Sequence, residues 1–179
     1  MRSLSIVLKV RACSLLSNVS VTARLNKSSY RIAMTLAGST FNIKLDTGAN
    51  STVISAKSID RVLSEADMKT IEAWCISEGA PKYKFLSATG DDLIGYGMVA
   101  HNVKLGAAIF QNFHFYLVLG NKRNIALLGV DFISKCEGSF TPDGDIVITG
   151  FDRDNYGKID GALEAEELIA FIDSLTEVE

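Results

Sequence analysis

The feature that most constrains the fold is a series of short stretches rich in β-branched and aromatic residues, separated by glycine-containing turns. Such stretches predict strands, and the short turns between them predict hairpins. Residues 29–38 and 39–48 form one such pair, joined at Ala37-Gly38-Ser39. Residues 138–151 form another, which turns at Pro142-Asp143-Gly144. The sequence therefore predicts a mostly β protein.

Two stretches depart from the strand pattern and predict helices. Ser64-Glu65-Ala66-Asp67 resembles a capping box with Asp in place of Glu, and Gly79 marks the end of the helix that follows. Between them, apolar residues recur at helical spacing: Met68, Ile71 and Cys75. The second helix is predicted within residues 162–175, where four large apolar residues share one face. One helix is thus inserted among the strands, and the other lies at the C-terminus.

Composition and charge exclude several classes of partner. The 179 residues are 47% hydrophobic, which suffices for the core of one domain. The net charge of −3 argues against general electrostatic binding to nucleic acid. Apolar runs fall short of the roughly 20 residues that a membrane-spanning helix needs. We therefore expect neither a nucleic-acid partner nor a membrane partner.

The first 29 residues differ from the rest of the chain. From Met1 to Leu45 the sequence has seven Lys or Arg and no Asp or Glu. A basic, Ser-rich and acid-free opening is typical of an organellar transit segment, whereas "SIVLKVRA" also fits a first strand. We divide the chain into a basic segment at 1–29, a main domain at 30–150, and an acidic turn and helix at 151–179. A cytoplasmic location is expected, with organellar targeting as the alternative.

The three cysteines predict neither disulfides nor a metal site. Cys13, Cys75 and Cys136 are far apart and form no CxxC pair, which favours buried thiols in a reducing compartment. A nucleophilic cysteine paired with His101 or His114 is the alternative, although no local motif supports it.

The clearest chemical signal is "FNIKLDTGANSTVIS", an apolar strand that ends at Asp46 and turns on Thr47-Gly48-Ala49. Downstream lies "IALLGVDFIS", and between the two lies "ATGDDLIGYGMV". In this order, the three pieces resemble the catalytic loop, the hydrophobic-hydrophobic-Gly segment and the flap hairpin of retropepsin-like aspartic proteases. These are the single-domain relatives of the retroviral enzymes. The resemblance covers residues 30–149 and implies a closed β-barrel, one half of an acid protease.

The resemblance also implies roles for individual residues. Asp46 would be catalytic, with a loop supported by Thr47, Gly48, Leu127, Leu128 and Gly129. Substrate contacts would come from Ala49 and Asn50 in the loop, and from Gly90, Ile94 and Gly95 in the flap. Gly48 suits its position because a residue without Cβ lets the backbone approach and hydrogen-bond the carboxylate.

The chemistry explains why one Asp-Thr-Gly per chain is only half of such a site. Two facing carboxyl groups share a proton, so one takes a proton from water while the other donates one to the peptide. The sequence contains no second Asp-Thr-Gly. The resemblance therefore implies a homodimer in which Asp46 meets Asp46 of a second copy, acting on peptide or protein substrates without metal or other cofactor.

Several alternatives remain at this stage. Asp46 would otherwise begin an ordinary turn with an Asx-type hydrogen bond. The flap tip is predicted at residues 89–91 or at residues 95–97, and an ordinary turn without substrate contact is the alternative. The same fold would also suit a non-catalytic peptide-binding or dimerisation module.

A calcium-binding loop is a further alternative in the tail. In "DRDNYGKIDGALE", Asp152 and Asp154 occupy the first and third positions of an EF-hand loop. Leu163 stands at the twelfth position, where the bidentate Glu belongs, and Glu164 comes one residue late. A polar turn before an acidic helix N-terminus is the competing interpretation.

Overall fold

A computed structural model of the chain describes residues 20–87, 89–120, 123–150 and 157–177. Within these ranges the strands, in chain order, are β1 (Val21–Asn26), β2 (Ser29–Leu36), β3 (Ser39–Leu45), β4 (Val53–Ser55), β5 (Lys82–Leu86), β6 (Asp92–Leu105), β7 (Ala108–Val118), β8 (Ala126–Leu128), β9 (Glu137–Phe140), β10 (Ile146–Thr149) and β11 (Leu163–Glu164). The helices are a 3-10 helix (Ala56–Ile59), α1 (Glu65–Ser77), α2 (Val130–Ile133) and α3 (Ala165–Thr176).

Six of the strands close into a barrel. The order runs β2, β3, β8, β4, β7, β6 and returns to β2, where Met34 pairs with Leu105. The β3–β8 and β4–β7 pairs are parallel, whereas the other pairs in the ring are antiparallel. The interior is filled by fully buried apolar side chains, among them Ile32, Ile43 and Phe113. The mostly β barrel with an inserted helix and a C-terminal helix is confirmed.

Turn chemistry accounts for the β2–β3 hairpin, which the sequence also predicted. Ala37 and Gly38 connect the strands with φ of 49° and 82°. Two successive residues with positive φ suit a two-residue hairpin turn, because its twist matches that of the strands. The hairpin places Asp46 directly after β3.

Both helices form where local signals predict them, but their packing is set by distant partners. The Ser64 hydroxyl accepts a hydrogen bond from the Asp67 amide at 3.1 Å and caps α1. Trp74 of α1 stacks on Phe171 of α3, with ring centroids 5.4 Å apart. Arg61 binds both carboxylate oxygens of Asp173 on α3, at 3.2 Å and 3.0 Å.

The C-terminal helix begins at Ala165, three residues later than predicted. Leu163 and Glu164 instead form β11, which pairs in parallel with Met98 and Val99 of β6. A strand pairing with a distant part of the chain overrides the local helical pattern here. Among the described residues, no helix is long and apolar enough to cross a membrane.

At the other end of the chain, β1 pairs with β2 and with β10. Residues 1–19, which include "SIVLKVRA" and Cys13, lie outside the described residues, whereas β1 lies within the basic segment at 1–29. The predicted boundaries at 29 and 150 stay predictions.

Candidate active site

Asp46 lies at the end of β3, where the strand meets β8. The amide of Asp46 donates to the carbonyl of Leu128 at 3.0 Å, one residue beyond the parallel pair of Leu45 and Leu128. Asp46 as a residue is half-buried, and its Oδ1 accepts a hydrogen bond from the exposed Gly48 amide at 2.9 Å. Asp46 is therefore fixed on both sides, by the neighbouring strand and by its own turn.

Glycine at position 48 leaves room for the Asp46 carboxylate. A Cβ at Gly48 would lie 3.1 Å from Asp46 Oδ1, closer than such contacts normally come. Thr47, between them, is exposed. The turn closes with the amide of Ala49 donating to the carbonyl of Asp46 at 3.2 Å.

Gly129 supports the turn from behind by allowing two backbones to touch. A Cβ at Gly129 would lie 2.5 Å from the Ser51 carbonyl oxygen and 2.7 Å from the Ala49 carbonyl oxygen. The φ of Gly129 is −89°, so space rather than torsion demands glycine. The next residue, Val130, donates its amide to the Ala49 carbonyl at 2.8 Å.

The loop has a second support, which the sequence analysis missed. The Asp131 carboxylate accepts from the Thr52 hydroxyl at 2.9 Å and from the Thr52 amide at 3.0 Å. Asp131, in the first turn of α2, also accepts from the Phe132 amide at 2.8 Å. The Asp in "LLGVD" and the Thr after the active loop were the available signals, but only the tertiary structure pairs them.

Three of the predicted site residues are less buried than Leu128, namely Ala49, Asn50 and Leu127. Ala49 is half-buried and Asn50 is exposed in the loop. Leu127 is half-buried and pairs with Lys44 on one side and with Val53 on the other. Leu128, in contrast, is fully buried.

A mainly apolar cleft of about 460 Å³ borders Asp46 and Thr47. Its floor and walls come from β2, β3, α2, β9 and β10. The remaining lining residues are Tyr30, Leu45, Phe132, Ile133, Cys136, Glu137, Gly138, Phe140, Ile146 and Ile148. A carboxylate at the edge of an apolar cleft has the surroundings that a peptide-binding site needs.

The predicted flap segment lies in the hairpin of β5 and β6, whose turn is closed by Ser87 and Asp91. The amide of Ser87 donates to the carbonyl of Asp91 at 2.9 Å, and Gly90 adopts a φ of 86°. Gly95 and Gly97 lie inside β6 instead, so the tip is not at 95–97.

Two glycines in β6 make room for packing. A Cβ at Gly95 would lie 2.7 Å from the Phe85 ring and 2.8 Å from Tyr116 Cβ, and Gly95 itself is buried. At Gly97, a Cβ would come within 2.8 Å of Ile159. Ile94, in contrast, is 37% exposed.

Neighbouring groups and burial determine the chemistry of both histidines and of the two described cysteines, Cys75 and Cys136. His101 pairs with Glu164, which raises its pKa above 6.5, and its amide donates to Glu166. Burial lowers the pKa of His114 below 6.5, and its Nδ1 accepts from the Ile159 amide at 3.3 Å. Burial raises the pKa of Cys75 to about 12 and that of Cys136 to about 11, so neither thiol favours the nucleophilic thiolate.

The described part of the tail gives the calcium interpretation little support. Leu163 lies in β11, and the carboxylate of Glu164 pairs with His101. Asp152 and Asp154 lie outside the described residues.

Comparisons with known proteins identify a similar structure but no sequence relative. No family model and no curated protein matches the sequence. Among solved structures, the chain is similar to a retropepsin-like aspartic protease from Rickettsia conorii, with 16% identity and a TM-score of 0.45. The alignment covers 73% of this chain and 88% of that one. A likeness of this degree assigns no activity, which has to be derived from the residues of the chain itself.

Proposed function

We propose that this chain is an aspartic endopeptidase of the retropepsin type, in which two copies bring Asp46 against Asp46. Water held between the two carboxyl groups would attack the peptide carbonyl. One carboxylate takes the proton from that water while the other carboxyl group gives its proton to the carbonyl oxygen. When the tetrahedral intermediate collapses, the carboxyl group that received the water proton passes it to the leaving amine, and the other recovers its proton from the hydroxyl of the intermediate. Metal and organic cofactors are not needed for this reaction.

The observation that carries the proposal is the restraint on Asp46 at the rim of an apolar cleft. One carboxylate oxygen accepts from Gly48, the backbone is bonded to Leu128, and Gly129 lets the supporting strand reach the loop. A carboxylate held in this way is preorganised for proton transfer.

The second carboxyl group is best supplied by another copy. Asp131, the acidic residue that supports the loop, has both oxygens engaged by Thr52. The exposed Thr47 beside Asp46 leaves that side of the loop open to a partner. A two-fold axis at this point would place two identical loops face to face.

Extended peptides suit the surroundings of the loop. The β5–β6 hairpin carries exposed apolar side chains, of which Leu86 is 76% exposed and Ile94 37% exposed. We propose that it closes over the peptide while Ala49, Asn50, Gly90 and the apolar cleft contact the substrate. Gly95 would contribute backbone only, since Phe85 and Tyr116 cover it.

The experiment is cleavage of a mixed peptide library by the purified protein at acidic to neutral pH, with mass-spectrometric detection of products. Asp46→Asn should abolish cleavage and leave the melting temperature nearly unchanged. Glu65→Gln, which removes an exposed carboxylate from the first turn of α1, is the matched control and should keep full activity.

Three results would contradict the proposal. Cleavage that survives in Asp46→Asn would assign the chemistry to other residues. Absence of cleavage together with Asp46-independent peptide binding would favour the non-catalytic module. Glu137 also borders the cleft, so activity of monomers that is lost in Glu137→Gln would place both carboxyl groups in one chain.

A further inference from the structure

A second cleft, of about 400 Å³, lies on the outer surface of the barrel and is lined mainly by polar residues. β2, β3, the 3-10 helix and the start of β8 form its walls. The lining residues with charge are Arg31, Lys44, Lys57 and Asp60. Three cations and one carboxylate give the lining a net charge of +2.

Electrostatic repulsion among the three cations destabilises the fold at this site. Arg31 and Lys44 are direct partners in the antiparallel register of β2 and β3. Like charges directly opposite each other destabilise a sheet. Within the described residues, no ion pair joins Arg31, Lys44 or Lys57 to a carboxylate. Asp60 lines the same cleft, but no direct ion pair in the described part of the chain offsets the repulsion among the three cations.

The wall that carries Lys57 is fixed in place. The Ser58 hydroxyl donates to the Ile125 carbonyl at 2.9 Å, and the Ser55 amide donates to the same carbonyl at 2.7 Å. In return, the Ile125 amide donates to the Ser55 hydroxyl at 3.0 Å. These bonds hold the 3-10 helix against the segment before β8, so Lys57 faces the pair on the sheet from a rigid support.

We propose that this cleft binds a phosphoryl group. A phosphate ester carries about −1.5 to −2 charges at pH 7, which matches the net charge of the lining. The Arg31 guanidinium offers a planar pair of donors for phosphate oxygens, and Lys44 and Lys57 add point charges from two sides. The Asn42 side chain, which also lines the cleft, offers a further donor. The proposal does not depend on peptidase activity.

Asp60 provides a direct test of the site, because its negative charge would repel the bound anion. Its φ is 61°, in the left-handed region where Asn is well tolerated, so Asp60→Asn removes the charge with little change of shape. This variant should bind a phosphoryl anion more tightly than the wild type. A gain of affinity cannot come from loss of the fold.

The test is calorimetric titration of the full chain with inorganic pyrophosphate at low ionic strength. Lys44→Gln and Lys57→Gln should each weaken binding by about tenfold, whereas Asp60→Asn should tighten it several-fold. Lys69→Gln, on the exposed face of α1, is the matched control and should change nothing. Added salt should weaken binding of every variant.

A parallel titration with a phosphoserine peptide and its unphosphorylated form shows whether the phosphoryl group that binds is attached to a protein or free. Stronger binding of the phosphopeptide than of pyrophosphate would indicate a protein-bound phosphoryl group, and the reverse would indicate a free one. Absence of saturable binding by the wild type would overturn the proposal. So would equal weakening by Lys69→Gln and Lys44→Gln, which would reveal general charge attraction.

Discussion

The Asp46 loop and the β5–β6 hairpin both turn at strand ends, but they are restrained very differently. Backbone bonds to Leu128, close packing on Gly129 and the Thr52–Asp131 pair hold the loop. The hairpin has an exposed ion pair between Lys84 and Asp92, at 2.8 Å, and a turn that bonds mainly to itself. Segments with few buried contacts open at low free-energy cost. The difference is in line with the proposed function, in which a fixed carboxylate works beneath a hairpin that opens and closes.

The largest effect should come from filling the space at Gly129. In Gly129→Ala, the new methyl group would meet the Ser51 and Ala49 carbonyls, and we expect a loss of about 3 kcal/mol in the free energy of unfolding. Gly90→Ala in the hairpin turn meets no atom within 4 Å but has a φ of 86°, so about 1 kcal/mol is expected. Urea denaturation measures both. Equal losses would show that the two turns do not differ in packing.

Removal of the Thr52–Asp131 hydrogen bonds should lower the free energy of unfolding by less than Gly129→Ala does. Asp131→Ala leaves the amide and hydroxyl of the fully buried Thr52 without their acceptor, at a cost of roughly 2 kcal/mol. The matched control is Asp145→Ala, because Asp145 accepts a backbone amide from the 45% exposed Leu25. Water replaces that exposed bond, so the control should lose less than half as much in the same urea experiment. A smaller loss for Asp131→Ala than for Asp145→Ala would remove Asp131 from the support of the loop.

A substitution in the β5–β6 hairpin should change peptidase activity rather than the free energy of unfolding. Leu86→Ser exchanges a 76% exposed side chain, so the free energy of unfolding should change by no more than about 0.5 kcal/mol. If the hairpin covers the peptide, KM should rise several-fold. Ile109→Ser, at a 53% exposed apolar residue of β7, is the control and should leave KM unchanged. Steady-state kinetics on one fluorogenic peptide decides between them, and an unchanged KM in Leu86→Ser would separate the hairpin from substrate binding.

The smallest effect concerns the end of β6 beyond the hairpin, where β11 joins it. The pair with Glu164 raises the pKa of His101 above 6.5, so its stabilisation is complete below pH 6.5 and is lost as pH rises through the raised value. Because the His101 side chain is 42% exposed, the change in stability should be small. An NMR titration of the imidazole should show the raised pKa, and Glu164→Gln should lower it. A wild-type pKa at or below 6.5 would contradict the pairing.

Local chemistry explains which features the sequence predicts. Three features join residues only a few positions apart, so the local sequence predicts them. They are the Ala37-Gly38 turn, the Ser64 cap and the Gly48 contact with Asp46. The pairing of β11 with β6 and the Thr52–Asp131 bonds join residues far apart. Such contacts depend on the register of the whole barrel, which periodicity does not specify. For the same reason, the position of Lys57 beside Arg31 and Lys44 follows from the structure and could not be predicted from the sequence.

The most direct test of two carboxyl groups from two copies is a subunit-mixing experiment. Wild-type protein is held at constant concentration and equilibrated with increasing amounts of Asp46→Asn before peptide cleavage is measured. Mixed dimers contain one Asp46 and should be inactive, so activity should fall as the variant is added, with about half of the wild-type chains captured at an equal ratio. Activity that stays constant over the whole range, while the two proteins associate as strongly as wild type with itself, would contradict the account.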